Sequence, residues 1–473
     1  MTNNKRTEHD LLGNRDLPEE VYYGVHTLRA LENFPISGIP ISVYPDLVNA
    51  LASIKQAAAL ANKELGLLDD RKALAIGEAC KSIRGGDLLG EFVVDVFQGG
   101  AGTSTNMNAN EVVANRALEL MGHKKGEYQY LHPVEHVNMS QSTNDVYPTA
   151  IKVALHFGIK RLTLAMAELS AAFATKAAEF ADVLKMGRTQ LQDAVPMTLG
   201  QEFSTYAVMI DEDIDRLNEA CLLIHEINLG ATAIGTGINA HPDYAALVCR
   251  KLADITGVPV VTAVNLVEAT QDCGSFVQLS GVLKRVAVKL SKICNDLRLL
   301  SSGPRAGLNE INLPAMQAGS SIMPGKVNPV IPEVMNQIAF EVIGNDVTVS
   351  FAAEAGQLQL NAFEPVIAHS LFKSLEHLCN GCRTLSGRCV KGITANREHL
   401  KKMVEQSIGI VTALNPYVGY TNATQIAQKA LASGKSVYDL VLENKLLSKE
   451  QLDDILRPEV LTQPRFIIIP RAC

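Results

Sequence analysis

The sequence predicts a mainly α-helical protein of three segments, organised around a central bundle of long helices. Three observations carry that reading. Apolar residues recur at helical spacing over stretches roughly two to three times the mean globular helix of about 11–12 residues. Aromatic residues make up 5% of the chain and Trp is absent, so the core must be filled by Ala, Leu, Ile and Val on closely packed helices. Turn signals crowd both ends of the chain and thin out in the middle.

Residues 1–142 read as a mixed N-terminal domain. Short stretches end in turns such as Leu12-Gly13-Asn14, Asn33-Phe34-Pro35 and Gly85-Gly86. Between them lies one helical stretch with Leu47, Leu51, Ile54, Ala58 and Ala61 on its apolar side. Residues 143–396 read as the bundle. A first run passes through Ile151, Leu155, Leu162, Ala165, Leu169 and Phe173, and a second through Leu199, Phe203, Tyr206, Ile210, Ile214, Leu217, Cys221 and Ile224. A third passes through Phe276, Leu279, Leu283, Val286 and Leu290, and two more follow Pro332 and Pro365. Helices of that length need neighbours along their whole extent, which a bundle supplies. Several carry apolar residues on more than one face, as expected where other subunits cover them. Residues 397–473 return to short helices, with turns at Asn415-Pro416, Gly434 and Pro458, and form a small helical C-terminal domain.

Composition narrows the function. The 473 residues carry a net charge of −7, and no run of Lys/Arg exceeds two, so no nucleic-acid partner is expected. No stretch of 18 uncharged apolar residues occurs, so no membrane span is expected. The start lacks an apolar signal core, and the nine cysteines (Cys80, Cys221, Cys249, Cys273, Cys294, Cys379, Cys382, Cys389 and Cys473) are odd in number and scattered. A reduced, cytoplasmic protein with small buried thiols fits that pattern. His377, Cys379, Cys382 and Cys389 can be read as a metal knuckle, but a closed zinc site usually needs two spaced ligand pairs. Two thiols three apart on an apolar helix are the simpler account, so no metal site is expected.

Nucleotide and hydrolase motifs fail on inspection. Gly319 to Lys326 imitates a phosphate loop, yet five residues separate its glycines and Val327 follows the Lys where a hydroxyl is required. Gly434-Lys435-Ser436 has the right ending, but Lys429 stands where the first glycine belongs. Neither HExxH nor GxSxG is present.

Four polar loops remain between the helical runs: residues 102–106 (GTSTN), 140–145 (SQSTND), 187–193 (GRTQLQD) and 319–329 (GSSIMPGKVNP). Each is rich in uncharged hydroxyl and amide donors. Converging donors with one Lys suit a small dianion, because carboxylates accept several hydrogen bonds and one fixed ion pair. The plain alternative is that such clusters are caps and turns: Ser142-Thr143-Asn144 a helix cap before Pro148, Thr189 a loop residue, Lys326 a solvated charge. The fourth loop resists that account. Two glycines, a Pro-Gly turn and Lys beside Asn-Pro shape a segment of the kind that closes over a ligand.

That fourth loop, Gly319-Ser-Ser-Ile-Met-Pro-Gly-Lys-Val-Asn-Pro329, resembles the signature of the fumarase/aspartase superfamily, and the other loops resemble its characteristic regions in order. Within it, the chain is similar to the aspartase branch. Tyr22-Tyr23-Gly24-Val25-His26-Thr27-Leu28-Arg29 stands where fumarases have Tyr-Trp-Gly and Thr-Gln-Arg, and Gly307-Leu-Asn-Glu-Ile-Asn-Leu-Pro314 has the aspartase form. Gln141-Ser-Thr-Asn-Asp-Val-Tyr-Pro148 does too, and Gln190 replaces the His that fumarases use to handle water.

The resemblance implies three domains and a homotetramer whose multi-helix core joins the bundles. Its active sites are shared among three subunits. It implies reversible elimination of ammonia from L-aspartate to give fumarate, with no cofactor required; fumarate hydration to L-malate is the alternative activity, and a non-catalytic lens-type relative a remote one. Divalent-cation activation leaves no readable mark. By resemblance Ser320 is the general base that takes the Cβ proton, leaving an aci-carboxylate. Thr103, Ser142, Thr143 and Ser321 hold the β-carboxylate, while Thr189, Lys326 and Asn328 hold the α-carboxylate. Asn144 and Gln190 lie near the amine, and Glu333 supports Gln190. His132 and His136 read either as a secondary anion site or as part of a turn.

Overall fold

The computed structural model describes residues 4–464, so the opening residues 1–3 and the ninth cysteine, Cys473, lie outside the description. The chain forms two compact units. One gathers Met1–Leu164, Asp213–Ala287 and Ile338–Cys379; the other gathers Ala165–Glu212, Val288–Gln337 and Asn380–Cys473. The expected long helices are Thr143–Glu179, Leu199–Leu223, Gly274–Leu300, Val330–Glu354 and Glu364–Arg388, of 37, 25, 27, 25 and 25 residues. Each contributes residues to both units. Strands form only two-stranded sheets among the described residues, so the mainly helical class holds.

In the first unit the Pro45–Glu64 helix is buried nearly all round. It begins with Pro at its first position, where a missing N–H costs nothing. Ala57, Ala58 and Ala59 are all buried, and their small side chains let neighbouring backbones approach closely. Asp69 caps the next helix, Asp70–Arg84, by accepting from the Lys72 N–H at 3.0 Å. The Thr143–Glu179 helix contains Pro148 near its start. Proline cannot donate to the carbonyl four residues back. The Asn228 side-chain amide takes that role, donating to the Asn144 carbonyl at 3.0 Å.

In the second unit, strands Leu184–Thr189 and Gln192–Thr198 form an antiparallel hairpin. Its end feeds the Leu199–Leu223 helix through a reciprocal cap: Thr198 Oγ1 accepts from the Gln201 N–H at 3.0 Å, and Gln201 Oε1 accepts from the Thr198 N–H at 2.9 Å. The C-terminal helices enclose a core of their own, which includes Leu414, Ile426, Val441 and Leu452.

Along Val330–Glu354, Phe340, Val347 and Phe351 share one face and remain 62%, 51% and 71% exposed in the single chain. No described helix is long and apolar enough to cross a membrane.

Candidate active site

In the first unit two helix N-termini are tied together by polar side chains. The Thr103–Leu120 helix starts at Gly102, whose φ of +89° is a left-handed conformation. A Cβ there would stand 2.3 Å from a Tyr147 ring carbon, so glycine is required. Exposed Thr103 opens the helix, and its hydroxyl donates to the Gly100 carbonyl at 2.7 Å. One turn on, the Asn106 amide donates to Thr143 Oγ1 at 3.1 Å, which sets the start of the Thr143–Glu179 helix beside it. Ser142 caps that second helix, with its Oγ accepting from the Asn144 N–H at 3.2 Å. The cap reading and the binding reading thus fall on the same residues. Asn144 donates to the Ala233 carbonyl at 2.7 Å. Ser142, Thr143 and Asn144 are all half-buried, within reach of solvent. Two adjacent helix N-termini lined with hydroxyl and amide groups present a surface of donors of the kind that suit an anion.

Two charged residues absent from the expected set hold this surface in place. Lys55 is fully buried, and its ammonium donates to Asn106 Oδ1 at 2.6 Å, Asn138 Oδ1 at 2.9 Å and Gln141 Oε1 at 2.9 Å. Burial lowers its pKa to about 7, against the pull of Asp145. Asp145, also fully buried, accepts from the N–H groups of Ser142 at 3.0 Å, Gly230 at 3.1 Å and Thr232 at 2.9 Å. Burial raises its pKa to about 7 against those donors and Lys55. A signal for Lys55 existed in the sequence: it lies one turn from both Leu51 and Ala58, on the apolar side of its helix. Asp145 was in view as the one charged residue of the second polar stretch.

The second unit holds the other expected residues. Thr189 and Gln190 sit exposed at the hairpin tip, where Gln190 and Leu191 both adopt left-handed backbone, with φ of +54° and +64°. Those two residues form the tight turn that matches strand twist, at a cost in strain for non-glycine residues. Beneath the tip, fully buried Glu310 pairs with Arg188 and lies 2.7 Å from Lys185 Nζ, which also reaches Glu202 Oε2 at 2.5 Å. This buried network anchors the strand that carries Thr189.

The signature loop closes on itself. The Gly319 N–H donates to the Lys326 carbonyl at 2.8 Å, and the Asn328 amide donates to the Gly319 carbonyl at 2.8 Å. Within it, the Ser320 hydroxyl oxygen accepts from two backbone N–H groups, Met323 at 2.9 Å and Ile322 at 3.2 Å. Two fixed donors on one serine oxygen favour negative charge there. Ser321 and Lys326 are exposed, and Lys326 has no ion-pair partner among the described residues. Asn328 instead spends its amide on the loop's own closure. Glu333 lies in the first turn of Val330–Glu354, and no hydrogen bond joins it to Gln190 among the described residues.

The remaining polar candidates resolve as local structure. His132 Nδ1 accepts from the N–H groups of Val134 and Glu135 at 3.1 and 3.2 Å, and His136 Nδ1 accepts from the His132 N–H at 2.8 Å. Burial lowers both pKa values, so the rings are neutral turn-builders. His377 Nδ1 pairs with Glu341 Oε2 at 2.6 Å, and Cys379 and Cys382 are buried on one helix, as the simpler reading expects. None of the eight described cysteines forms a disulfide, and all are buried.

Comparison with known proteins supplies the family. Residues 13–344 match the family described as lyase, and residues 410–463 match the fumarase C C-terminus. An aspartate ammonia-lyase of Helicobacter pylori is 60% identical over 459 residues, 97% of this chain and 98% of the relative. One of Pseudomonas fluorescens is 62% identical over 463 residues, 98% of this chain and 97% of the relative. Among solved structures, a fumarate lyase/delta crystallin of Brucella melitensis with bound cobalt superposes with a TM-score of 0.96 at 54% identity, covering 98% of this chain and all of its own. A class II fumarase of Schistosoma mansoni gives 0.92 at 35% identity over 96% of this chain and 98% of its own. With the signature loop in place and matches spanning nearly the whole length, the chain belongs to the fumarase/aspartase superfamily of lyases.

Proposed function

We propose that this chain catalyses the reversible elimination of ammonia from L-aspartate to give fumarate, as a cytoplasmic homotetramer and without an organic cofactor. Relatives similar over nearly their whole length are aspartate ammonia-lyases, which favours this over fumarate hydration. The observation that carries the chemistry is the Ser320 hydroxyl, held by two backbone N–H groups in the signature loop.

The difficult step is removal of a weakly acidic Cβ proton. Ser320 as an alkoxide takes that proton, and the electron pair moves into the β-carboxylate as an aci-carboxylate. The pair then returns to form the Cα–Cβ double bond while the Cα–N bond breaks and ammonia leaves. Thr103, Ser142, Thr143 and Ser321 meet the β-carboxylate, where charge accumulates. Lys326, Asn328 and Thr189 meet the α-carboxylate. Asn144 and Gln190 face the amine, with Glu333 behind Gln190. Preorganised donors act most strongly where charge develops in the transition state. An alkoxide base also requires that water be excluded. In the single chain Ile322 of the loop is 84% exposed, so the active state needs the loop covered. The unpartnered face of Phe340, Val347 and Phe351 supports assembly with other copies, and assembly supports active sites shared among three subunits.

Ultraviolet absorbance of fumarate, recorded after L-aspartate and separately after L-malate, tests the reading. Signal from aspartate alone is expected; signal from malate alone would assign a fumarase, and none at all a non-catalytic relative. Ser320→Ala is expected to lower kcat at least ~10³-fold, as loss of a base with its oxyanion donors should. Retention of more than about a tenth of the activity would remove Ser320 from the role of base.

A further inference from the structure

Away from the signature loop, in the first unit, three metal-binding side chains turn toward one another. His156 lies on the Thr143–Glu179 helix. Cys221 occupies the last turn of Leu199–Leu223, and His225 follows it by one further turn. His156 Nδ1 is 2.9 Å from His225 Nε2, while Cys221 Sγ is 3.5 Å from the first nitrogen and 3.8 Å from the second. A tetrahedral ion with metal–nitrogen bonds of about 2.05 Å and a metal–sulfur bond of about 2.3 Å needs N···N near 3.3 Å and N···S near 3.6 Å. The observed triangle matches the two sulfur edges, and its third edge differs by about 0.4 Å, a small rotation of one ring. We propose that His156, Cys221 and His225 form a binding site for a borderline divalent transition metal of the Zn²⁺ or Co²⁺ class, with water as fourth ligand.

The fold presents these ligands on fixed supports. The His225 N–H continues the helical turn to the Leu222 carbonyl at 3.3 Å, and its own carbonyl accepts from the Val261 N–H at 2.9 Å. One residue on, the Glu226 carbonyl accepts from Lys152 Nζ at 2.7 Å, which ties this strand to the helix carrying His156. Both imidazoles are half-buried while the thiol is buried, so the open side faces solvent and admits water. Binding forms a Cys221 S–metal bond and releases the thiol proton to solvent. Lys160, one turn beyond His156, opposes a cation, and the thiolate charge offsets it. The ion would clasp the strand entering Gly230 and Thr232, whose N–H groups hold Asp145.

Titration of the chelator-treated full chain with CoCl2, under a thiol-free reductant, tests the site. The expected result is one cobalt per chain with a Kd at or below about 10 μM, a thiolate-to-cobalt band in the near ultraviolet and strong tetrahedral d–d bands, all displaced by ZnCl2. Cys221→Ser should abolish the thiolate band, and His156→Gln and His225→Gln should each weaken binding at least tenfold, while the metal-free variants melt within a few degrees of metal-free wild type. ZnCl2 should raise the melting temperature of wild type and not of Cys221→Ser. Absence of the thiolate band, or its persistence in Cys221→Ser, would overturn the proposal and leave a hydrogen-bonded trio. If Cys221→Ser does not fold, the two His→Gln variants decide alone: affinity unchanged in both would overturn the site.

Discussion

Replacing Gly319 with Ala tests whether the geometry of the signature loop, rather than its composition, supports catalysis. A Cβ at this position would stand 2.5 Å from the Lys326 carbonyl oxygen and 2.8 Å from the Asn328 backbone nitrogen. Ordinary contact begins at 3.4 Å, so the strands of the loop must separate by about 0.9 Å. Neither neighbouring atom is the end of a flexible side chain, so the backbone itself has to yield. The hydrogen bonds from the Gly319 N–H to Lys326 and from the Asn328 amide to Gly319, each 2.8 Å, span this gap and would stretch beyond bonding distance. Lys326, Asn328 and Ser320 would all be displaced together. A misplacement of about 1 Å costs catalysis on the order of 10²-fold. Gly319→Ala should therefore lower kcat/KM for L-aspartate about 100-fold, with KM rising as Lys326 and Asn328 shift. Most of the loop is solvent-exposed, so the melting temperature should stay within a few degrees of wild type. Fumarate absorbance and thermal melts measure both quantities. A kcat/KM within threefold of wild type would refute the reasoning, because the loop would then tolerate the displacement.

Substitutions at two further positions probe single groups. Gln190 can exchange hydrogen bonds but cannot give up a proton near neutrality; Gln190→His, a residue that tolerates left-handed backbone, should add a limb near pH ~6–7 to the rate profile. Full activity of Gln190→Glu would defeat the idea of a neutral contact to the amine. Glu364, the first residue of its helix, is almost completely buried, and burial raises its pKa from 4.5 to about 8 against the pull of Lys152. The folded state then keeps the proton that the unfolded chain loses, so stability falls as pH rises from 4.5 to 8. Between pH 5 and pH 9, Glu364→Gln should gain about 3–5 kcal/mol relative to wild type in urea unfolding. An unchanged difference at the two pH values would show that Glu364 is ionised in the fold.

Much of the fold was legible because helices are written locally. Apolar spacing located all five long helices, and the Thr198-to-Gln201 box marks where one begins. Of the four polar stretches only 319–329 is loop throughout; residues 103–106 and 143–145 open helices, and 187–193 form the tip of a hairpin. Ser142 caps a helix, and the proposed binding role falls on the same residue because N-capping and anion binding draw on the same orphaned N–H groups. Lys55 was harder to find. A lysine beside apolar residues reads as a snorkelling surface charge until the three amide oxygens that receive it are known, and those lie 51, 83 and 86 residues away.

By itself the sequence determined the helical class, the length of the helices and the identity of the signature loop, since each depends on residues a few positions apart. Only the tertiary structure decided which distant groups meet. Asn228 accepts the task of bonding the carbonyl that Pro148 leaves open, 84 residues from Asn144. His156 joins Cys221 and His225 across 65 and 69 residues. Such meetings depend on how packed helices rotate and slide against one another, and hydrophobic periodicity states which face is buried but not which polar group it will find there.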